Sequence, residues 1–573
     1  MISARKIYFE EDPQTSDEAD NHQKVDINSL NYDSLAQIFM LLPIAERMDM
    51  EKVCTKWKEA APLAWCNIKK YKCETSIGRS YDNRLLTQSY LEKILLKCGF
   101  YLNELTLSNI CHSSIMPFVG DHCQNLTRLE FEFYDNPLTR NANHFVQAFT
   151  LLDKLKYIKL KLVHNYSNKA INLFEIVQSL PEGINEIHLY FRVLFKYSRK
   201  KTDSMVFKKF NNLQKLTIHG AYLDDIICQE IAEKKTLVHL DIELHHIHEG
   251  FLLLDKLVNL KNIELFITKR YFIDDEVTND LSNKVMNSIF CTSRNLKHLD
   301  MTYDHYDINE FLFNKWINLQ NLQFFGIKCD ITLDLANKIL EYCKNLKDLK
   351  IPCTSHSALE ILTKLENLES LIIYGDVKLT EKSITAISNN CKKLKRLEMF
   401  NCSIVPSHGD LLSSPSVLDG LSKLKYLEHL DLMNAENLED STIIAVANNC
   451  KNLKYLNISR VSTITETALV ALTNLENLQV LDVSFLERIT DDFIIKLKGL
   501  KELYCTSCIN LTDTGIIQVI KNNPDLQELD IACIDNITID STIAHQATKN
   551  RTNGIILHTT AYSLYKGPPQ LNF

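Results

Sequence analysis

The stretch Leu102-Asn103-Glu104-Leu105-Thr106-Leu107 sets a frame of leucine, two free positions, leucine, one free position, leucine. The frame recurs 17 times, with Ile, Val, Met, Phe or Cys substituting, its second anchor falling at Leu105, Leu129, Ile158, Ile187, Leu216, Leu240, Ile263, Leu299, Leu322, Leu349, Leu371, Leu397, Leu430, Leu456, Leu481, Leu503 and Leu529. Alternate residues of an extended segment point to opposite sides, so each copy reads as a short strand with its leucines turned inward. Between strands the pattern changes to helical spacing, as in Leu438-Glu439-Asp440-Ser441-Thr442-Ile443-Ile444-Ala445-Val446-Ala447. Five such helices open alike, at Leu379-Thr380-Glu381, Leu438-Glu439-Asp440, Ile464-Thr465-Glu466, Ile489-Thr490-Asp491 and Leu511-Thr512-Asp513. Thr there can cap free backbone amides, and the acid suits the positive end of the helix dipole. Asn389-Asn390, Asn448-Asn449 and Asn522-Asn523 are expected to close helices in the left-handed conformation that Asn tolerates.

A strand–turn–helix unit of roughly 26 residues cannot bury its apolar side alone and must stack on its neighbours. The expected fold class is therefore α/β, a curved solenoid with parallel strands on the concave side and helices on the convex side. The period and frame resemble the leucine-rich repeat over about residues 102–557. Cys402 and Cys508 at the turn after the strand, with Cys343, Cys391 and Cys450 before it, resemble the cysteine-containing subfamily.

Composition excludes several function classes. The chain of 573 residues carries 64 Lys and Arg against 72 Asp and Glu, a net charge of −8. That balance gives no reason to expect nucleic-acid affinity. Only 14 glycines occur, too widely spaced for any phosphate-cradling loop or nucleophile elbow. Serines, histidines and acids show no nucleophile signature, so no catalytic residue is assigned and the chain is expected not to be an enzyme. No apolar run suits a membrane span or a signal peptide. With 17 cysteines and no export signal, reduced thiols in cytoplasm or nucleus are expected. Cys505-Thr506-Ser507-Cys508 sits at core positions of one repeat, so core thiols are favoured over a metal site. The loop histidines His245, His246 and His248 have no acid partners in sequence. No cofactor and no metal are expected.

The amino-terminal residues differ. Residues 1–26 are acidic and aperiodic, and read as a disordered tail. Leu35, Ile38, Phe39 and Leu42 form one stripe on a short helix that Pro43 ends. Met50, Val53, Cys54 and Trp57 repeat the spacing on a second helix, and Leu63-Ala64-Trp65 follows. These residues, with Leu30, resemble an F-box over residues 27–70, with Asn31 where the family has proline. The resemblance implies a Skp-type adaptor as partner and, through it, a cullin–RING complex, with Leu30, Leu35, Ile38, Phe39, Leu42, Val53, Cys54, Trp57 and Trp65 as adaptor contacts or their support. It implies a non-catalytic substrate receptor of a ubiquitin ligase; a scaffold that does not direct ubiquitylation is the other reading. The expected division is a tail at 1–26, an F-box at 27–75, the solenoid at 76–557 and a carboxy-terminal tail at 558–573.

On the concave side the residue between the last two leucines faces solvent, and eight of the 17 such residues are acidic against two basic. Asp241, Glu264, Asp300, Glu398 and Asp431 belong to this row, with Phe266, Phe325, Tyr374 and Phe400 in the aromatic row two positions on. Acids beside aromatics suit a basic, partly apolar segment of a protein substrate. An acidic ladder that simply solvates itself is the competing reading. The basic segment from Arg192 to Lys209 reads as a solvated insertion.

Overall fold

In the computed structural model, the structure describes residues 27–73, 88–108, 111–135, 141–164, 173–192, 206–220, 223, 225–244, 249–267, 284, 288, 294–303, 316–327, 331–352, 355–375, 377–405, 417–436, 438–537 and 558–560. Nineteen strands of the described residues make one parallel sheet in chain order, each bonded to the strands of the repeats before and after it. Helices and 3-10 turns connect them, giving the α/β leucine-rich-repeat solenoid. Two short strands, Val377–Thr380 and Cys402–Val405, pair separately.

The register follows the leucines. Leu105, Leu129, Ile158 and Ile187 lie opposite one another, as do Leu430, Leu456, Leu481, Leu503 and Leu529, and all are buried. One repeat departs from the expected frame. Phe325, not Leu322, pairs with Leu299, and Gly326 pairs with Asp300. Leu319 and Leu322 are three apart, so two frames fit the sequence there, and the strand takes the later one. The sheet also reaches beyond the expected span at both ends. Lys70–Lys72, inside residues 27–75, pairs with Glu104–Thr106, and His558–Thr560 pairs with Glu528–Asp530.

Polar side chains tie each repeat to the next. Asn345, Asn367, Asn452 and Asn477 donate to the carbonyls of Gln320, Lys344, Lys425 and Lys451 at 2.9, 3.0, 3.0 and 2.9 Å. These carbonyls would otherwise lack a partner at the outer turn. Thr380, Thr465 and Thr512 cap their helices as expected, whereas Thr490 and Glu439 make no side-chain cap bond. The helix-closing asparagines are not left-handed. The non-glycine residues of positive φ stand instead after the strands, at Asn401, Asn434, Arg460, Phe485, Ser507 and Cys533, four positions beyond the second anchor. The first five donate their amides to the next repeat, Arg460 to the Ser484 carbonyl and Phe485 to that of Thr506, at 2.9 and 2.8 Å. This extra bond holds a conformation that side chains otherwise disfavour. Cys508 fills the turn behind Ser507, its thiol donating to the Val483 carbonyl at 3.2 Å, and Cys505 is buried.

The acid that opens a helix also reaches the following repeat, Asp491 accepting from the Thr512 amide at 3.0 Å and its hydroxyl at 2.5 Å. Gly515 leaves room for it, since a Cβ there would lie 2.1 Å from Asp491 Oδ1. Gly→Ala inside a helix ordinarily stabilises by about 0.5–1 kcal/mol. Gly515→Ala is expected to lower the melting temperature instead, and to lose most of that effect in an Asp491→Ala background, where only the 2.9 Å approach to the Cβ of residue 491 is left. A melting curve unchanged or raised by Gly515→Ala alone would contradict this packing.

Candidate functional site

Two surfaces stand out, a helical plug at the amino end and the concave trough. The plug comprises α1 (Tyr32–Met40), α2 (Ile44–Met50), α3 (Thr55–Ala60) and a 3-10 turn, Ala61–Trp65. Asn31, in the place of the family's proline, caps α1 by accepting from the Ser34 amide at 2.8 Å. Leu35, Ala36 and Phe39 pack on Ala60, Ala61 and Ala64 to form a small core of their own. Phe39 and Trp57 touch, ring centroids 5.1 Å apart, and the Trp57 indole donates to Asn28 Oδ1 at 3.0 Å.

The nine residues named from sequence therefore separate. Leu35 and Phe39 are core residues of the plug, and Leu30, Ile38, Leu42 and Trp57 are half-buried around them. Trp65 is buried and belongs to the solenoid's core, so it cannot contact an adaptor. Val53 and Cys54 are exposed. They do not lie on one helix with Met50 and Trp57, because residues 51–53 form a turn and Cys54 is the extended cap of α3. Leu41, 85% exposed, went unnoticed between the stripe positions, and with Val53 and Leu63 it gives the plug three bare aliphatic side chains.

Arg47 is the residue that periodicity missed altogether. Buried beneath the plug, it donates to the carbonyls of Leu42, Ala64 and Met40 and to Asn67 Oδ1, the first two at 2.9 and 2.7 Å. A guanidinium offers five donors in a fixed fork, which is why one side chain can serve three turns at once. Ile44 and Met48 pack onto the solenoid core, and Lys97 meets Glu51 at 2.9 Å, fixing the plug to the first helix of the coil.

In the trough the acidic row is present but largely engaged. His219 lies 2.6 Å from Asp241, His298 3.4 Å from Glu264, and Lys350 reaches across Gly326 to Asp300 at 3.0 Å. A Cβ at Gly326 would fall 2.5 Å from Asp300 Oδ1, so glycine leaves that path open. Glu398 takes Arg396 Nε at 2.6 Å and His429 at 3.0 Å. Burial pushes the Glu398 carboxyl up, and His429 and Arg396 outweigh it and hold it below the ordinary value. Further on the acids cap their own turns, Asp431 accepting from the Met433 amide and Asp482 from that of Ser484, both at 2.9 Å. Much of the row thus solvates itself. Phe266, Tyr374 and Phe400 are half-buried along the trough, but Phe325 points into the core against Trp316, a consequence of the shifted frame. Phe324 takes its place and stacks on His298, centroids 4.0 Å apart. Phe324, Ile372, Tyr374 and Phe400 help line a cavity of about 450 Å³, with Asp348, Lys350, Ser370, Arg396 and Glu398.

His245, His246 and His248, residues 1–26, most of the basic segment from Arg192 to Lys209, and the tail after residue 560 lie outside the described residues. Of the basic segment, Lys209 spends its ammonium on the carbonyls of Gln178 and Leu180. Among the described residues no cluster of three or more His, Cys, Asp or Glu is placed to hold a metal ion, and no helix is long and apolar enough to cross a membrane.

Two consequences are measurable. Arg47→Met removes donors from three carbonyls at once, and each buried unpaired group costs about 1–3 kcal/mol; urea unfolding should show a loss of that order or more, and a neutral substitution would contradict the assigned role. Glu264 stands between Asp241 and Asp300 on adjacent strands. Burial first, and then these two carboxylates, raise its carboxyl from 4.5 to about 7. The protonated form is therefore favoured on folding. The group's support is complete below pH 4.5 and is lost as pH rises through about 7. Wild type should lose stability relative to Glu264→Gln across that interval, read by urea unfolding at several pH values; a constant difference would exclude it.

No family model matches the chain. It is 29% identical over 129 residues to F-box/LRR-repeat protein 4 of Bos taurus, covering 22% of this chain and 20% of that protein. It is 30% identical over 207 residues to Antagonist of mitotic exit network protein 1 of Saccharomyces cerevisiae, covering 31% of this chain and 37% of that protein. The chain thus spans about a fifth and somewhat over a third of these two relatives. An internalin from Listeria monocytogenes aligns in structure at a TM-score of 0.35 and 16% identity, over 64% of this chain and 92% of its own. The sequence likenesses, partial as they are, support a leucine-rich-repeat protein.

Proposed function

We propose that this chain is the substrate-recognition subunit of a Skp–cullin–F-box ubiquitin ligase. The plug docks on the Skp-type adaptor, and the trough holds a protein substrate for ubiquitin-dependent proteasomal degradation. The observation that carries the reading is the plug itself. It has its own core of Leu35, Phe39 and four alanines, yet leaves Leu41, Val53 and Leu63 bare at one end of a long coil. A cap that served only to close the coil would turn its aliphatic side chains toward the coil. The likeness to a protein named for both an F-box and leucine-rich repeats points the same way.

The contribution to reaction rate is proximity. Holding a substrate lysine near a ubiquitin thioester raises its effective concentration without any chemistry from this chain. The face offered to the adaptor is Leu41, Val53, Cys54 and the exposed edges of Leu30, Ile38, Leu42 and Trp57; Leu35 and Phe39 support it from beneath.

The test uses Leu41→Asp with Val53→Asp. Both side chains are exposed, so the fold should keep its melting temperature while capture of a Skp-type adaptor and its cullin falls at least tenfold. Capture that survives in the folded double variant removes the proposed interface, and wild-type chain indifferent to the adaptor removes the ligase reading.

A further inference from the structure

Two carboxylates line the trough's cavity, Asp348 and Glu398, and they differ in what they already hold. Glu398 takes Arg396 and His429 on its Oε1, and Asp300, four strands away and outside the lining, is held by Lys350. Asp348 makes no ion pair among the described residues; Ser370 stands opposite it on the adjacent strand, and Lys347 and Arg396 act on its carboxyl only from a distance. Both cations of the cavity, Lys350 and Arg396, are the ones committed to those other acids. The remaining charge demand is therefore for a cation, at Asp348.

Phe324 stands opposite that position on the adjacent strand, and Tyr374 and Phe400 line the cavity further along. Phe324 is fixed by its stack on His298, and the Tyr374 hydroxyl donates to the Ile327 carbonyl at 2.6 Å, which sets its ring. Phe400 lies on the far wall. Ring faces attract a cation, most strongly when it is partly desolvated. A purely apolar guest would cover a half-buried carboxylate without answering its charge, and an acidic guest would oppose it.

We propose that this cavity takes one arginine or lysine side chain of a bound protein segment, with Asp348 as counter-ion and Phe324, Tyr374 and Phe400 as its walls. The inference rests on the reading of the trough as the substrate-binding surface and specifies what that surface selects. The aliphatic stem of the guest lies on Ile372, and its charged head meets Asp348.

The experiment compares a fluorescein-labelled peptide, Gly-Ser-Leu-Arg-Leu-Ser-Gly, with its copy carrying citrulline, which keeps the shape of arginine and removes the charge. Fluorescence polarisation with the full chain should give at least a tenfold preference for arginine. Asp348→Asn should cut that preference about tenfold, a loss of roughly 1.4 kcal/mol, while its melting curve matches wild type. Tyr374→Phe should leave the preference intact and Tyr374→Ala should weaken it. Equal binding of the two peptides, absence of binding, or a preference unaffected by Asp348→Asn overturns the proposal. Adaptor capture is measured on the same preparations. Its loss with the arginine preference intact overturns the ligase reading alone, and intact capture without the preference overturns the cavity assignment alone.

Discussion

Everything in the coil depends on the fact that no single repeat can satisfy itself. A strand as short as Tyr455–Asn457 has amides and carbonyls on both edges and one leucine on its inner side. Alone it would expose all of them. Stacked between His429–Asp431 and Val480–Asp482, its ladder is complete and Leu456 is fully buried. Stability in such an array is a sum over neighbours, so every device that improves one contact is repeated along the chain. The asparagine side chains on outer carbonyls, the Asp440 carboxylate on the Thr465 amide and the left-handed turns after the strands are three such devices.

The same requirement explains what the trough looks like. Residues on the concave row are only a few ångströms from their counterparts on adjacent strands, so carboxylates at Asp241, Glu264 and Asp300 repel one another unless something intervenes. His219 answers Asp241 and Lys350 answers Asp300, Glu264 between them is driven toward its protonated form, and backbone amides serve the acids toward the end of the coil. The charge pattern seen in sequence is thus mostly internal accounting between strands.

The fold was legible because its signal repeats: a single frame, read 17 times, fixes strand positions and their inward residues together. It failed where the sequence held two leucines at a spacing of three, at Leu319 and Leu322, and there only the neighbouring strand decided. The helix-closing asparagines were misplaced because left-handed backbone is set by hydrogen bonds to the next repeat, which spacing does not reveal. The plug was legible as a set of residues but not as a surface. Periodicity cannot tell Phe39, buried, from Leu41, bare, when both lie in one apolar run, and Arg47 has no periodic signature at all. In the trough, Phe324 and Phe325 exchange roles through a frame choice, and Asp348 stands out only once the partners of the other acids are known.

One short segment belongs to both parts of the molecule. In the 3-10 turn from Ala61 to Trp65, Ala61 and Ala64 complete the plug's core, whereas Trp65 is anchored in the coil. The torsions of this turn set the bearing of one part on the other, and Ile44, Met48 and the Lys97–Glu51 pair hold it. A turn of this type advances one residue per about 120°. Lengthening it by a single amino acid would put Ala61 and Ala64 out of register with Trp65, so the plug's interior and the coil's could no longer both close. The count of residues in one short turn thus sets the attitude of the plug on the coil.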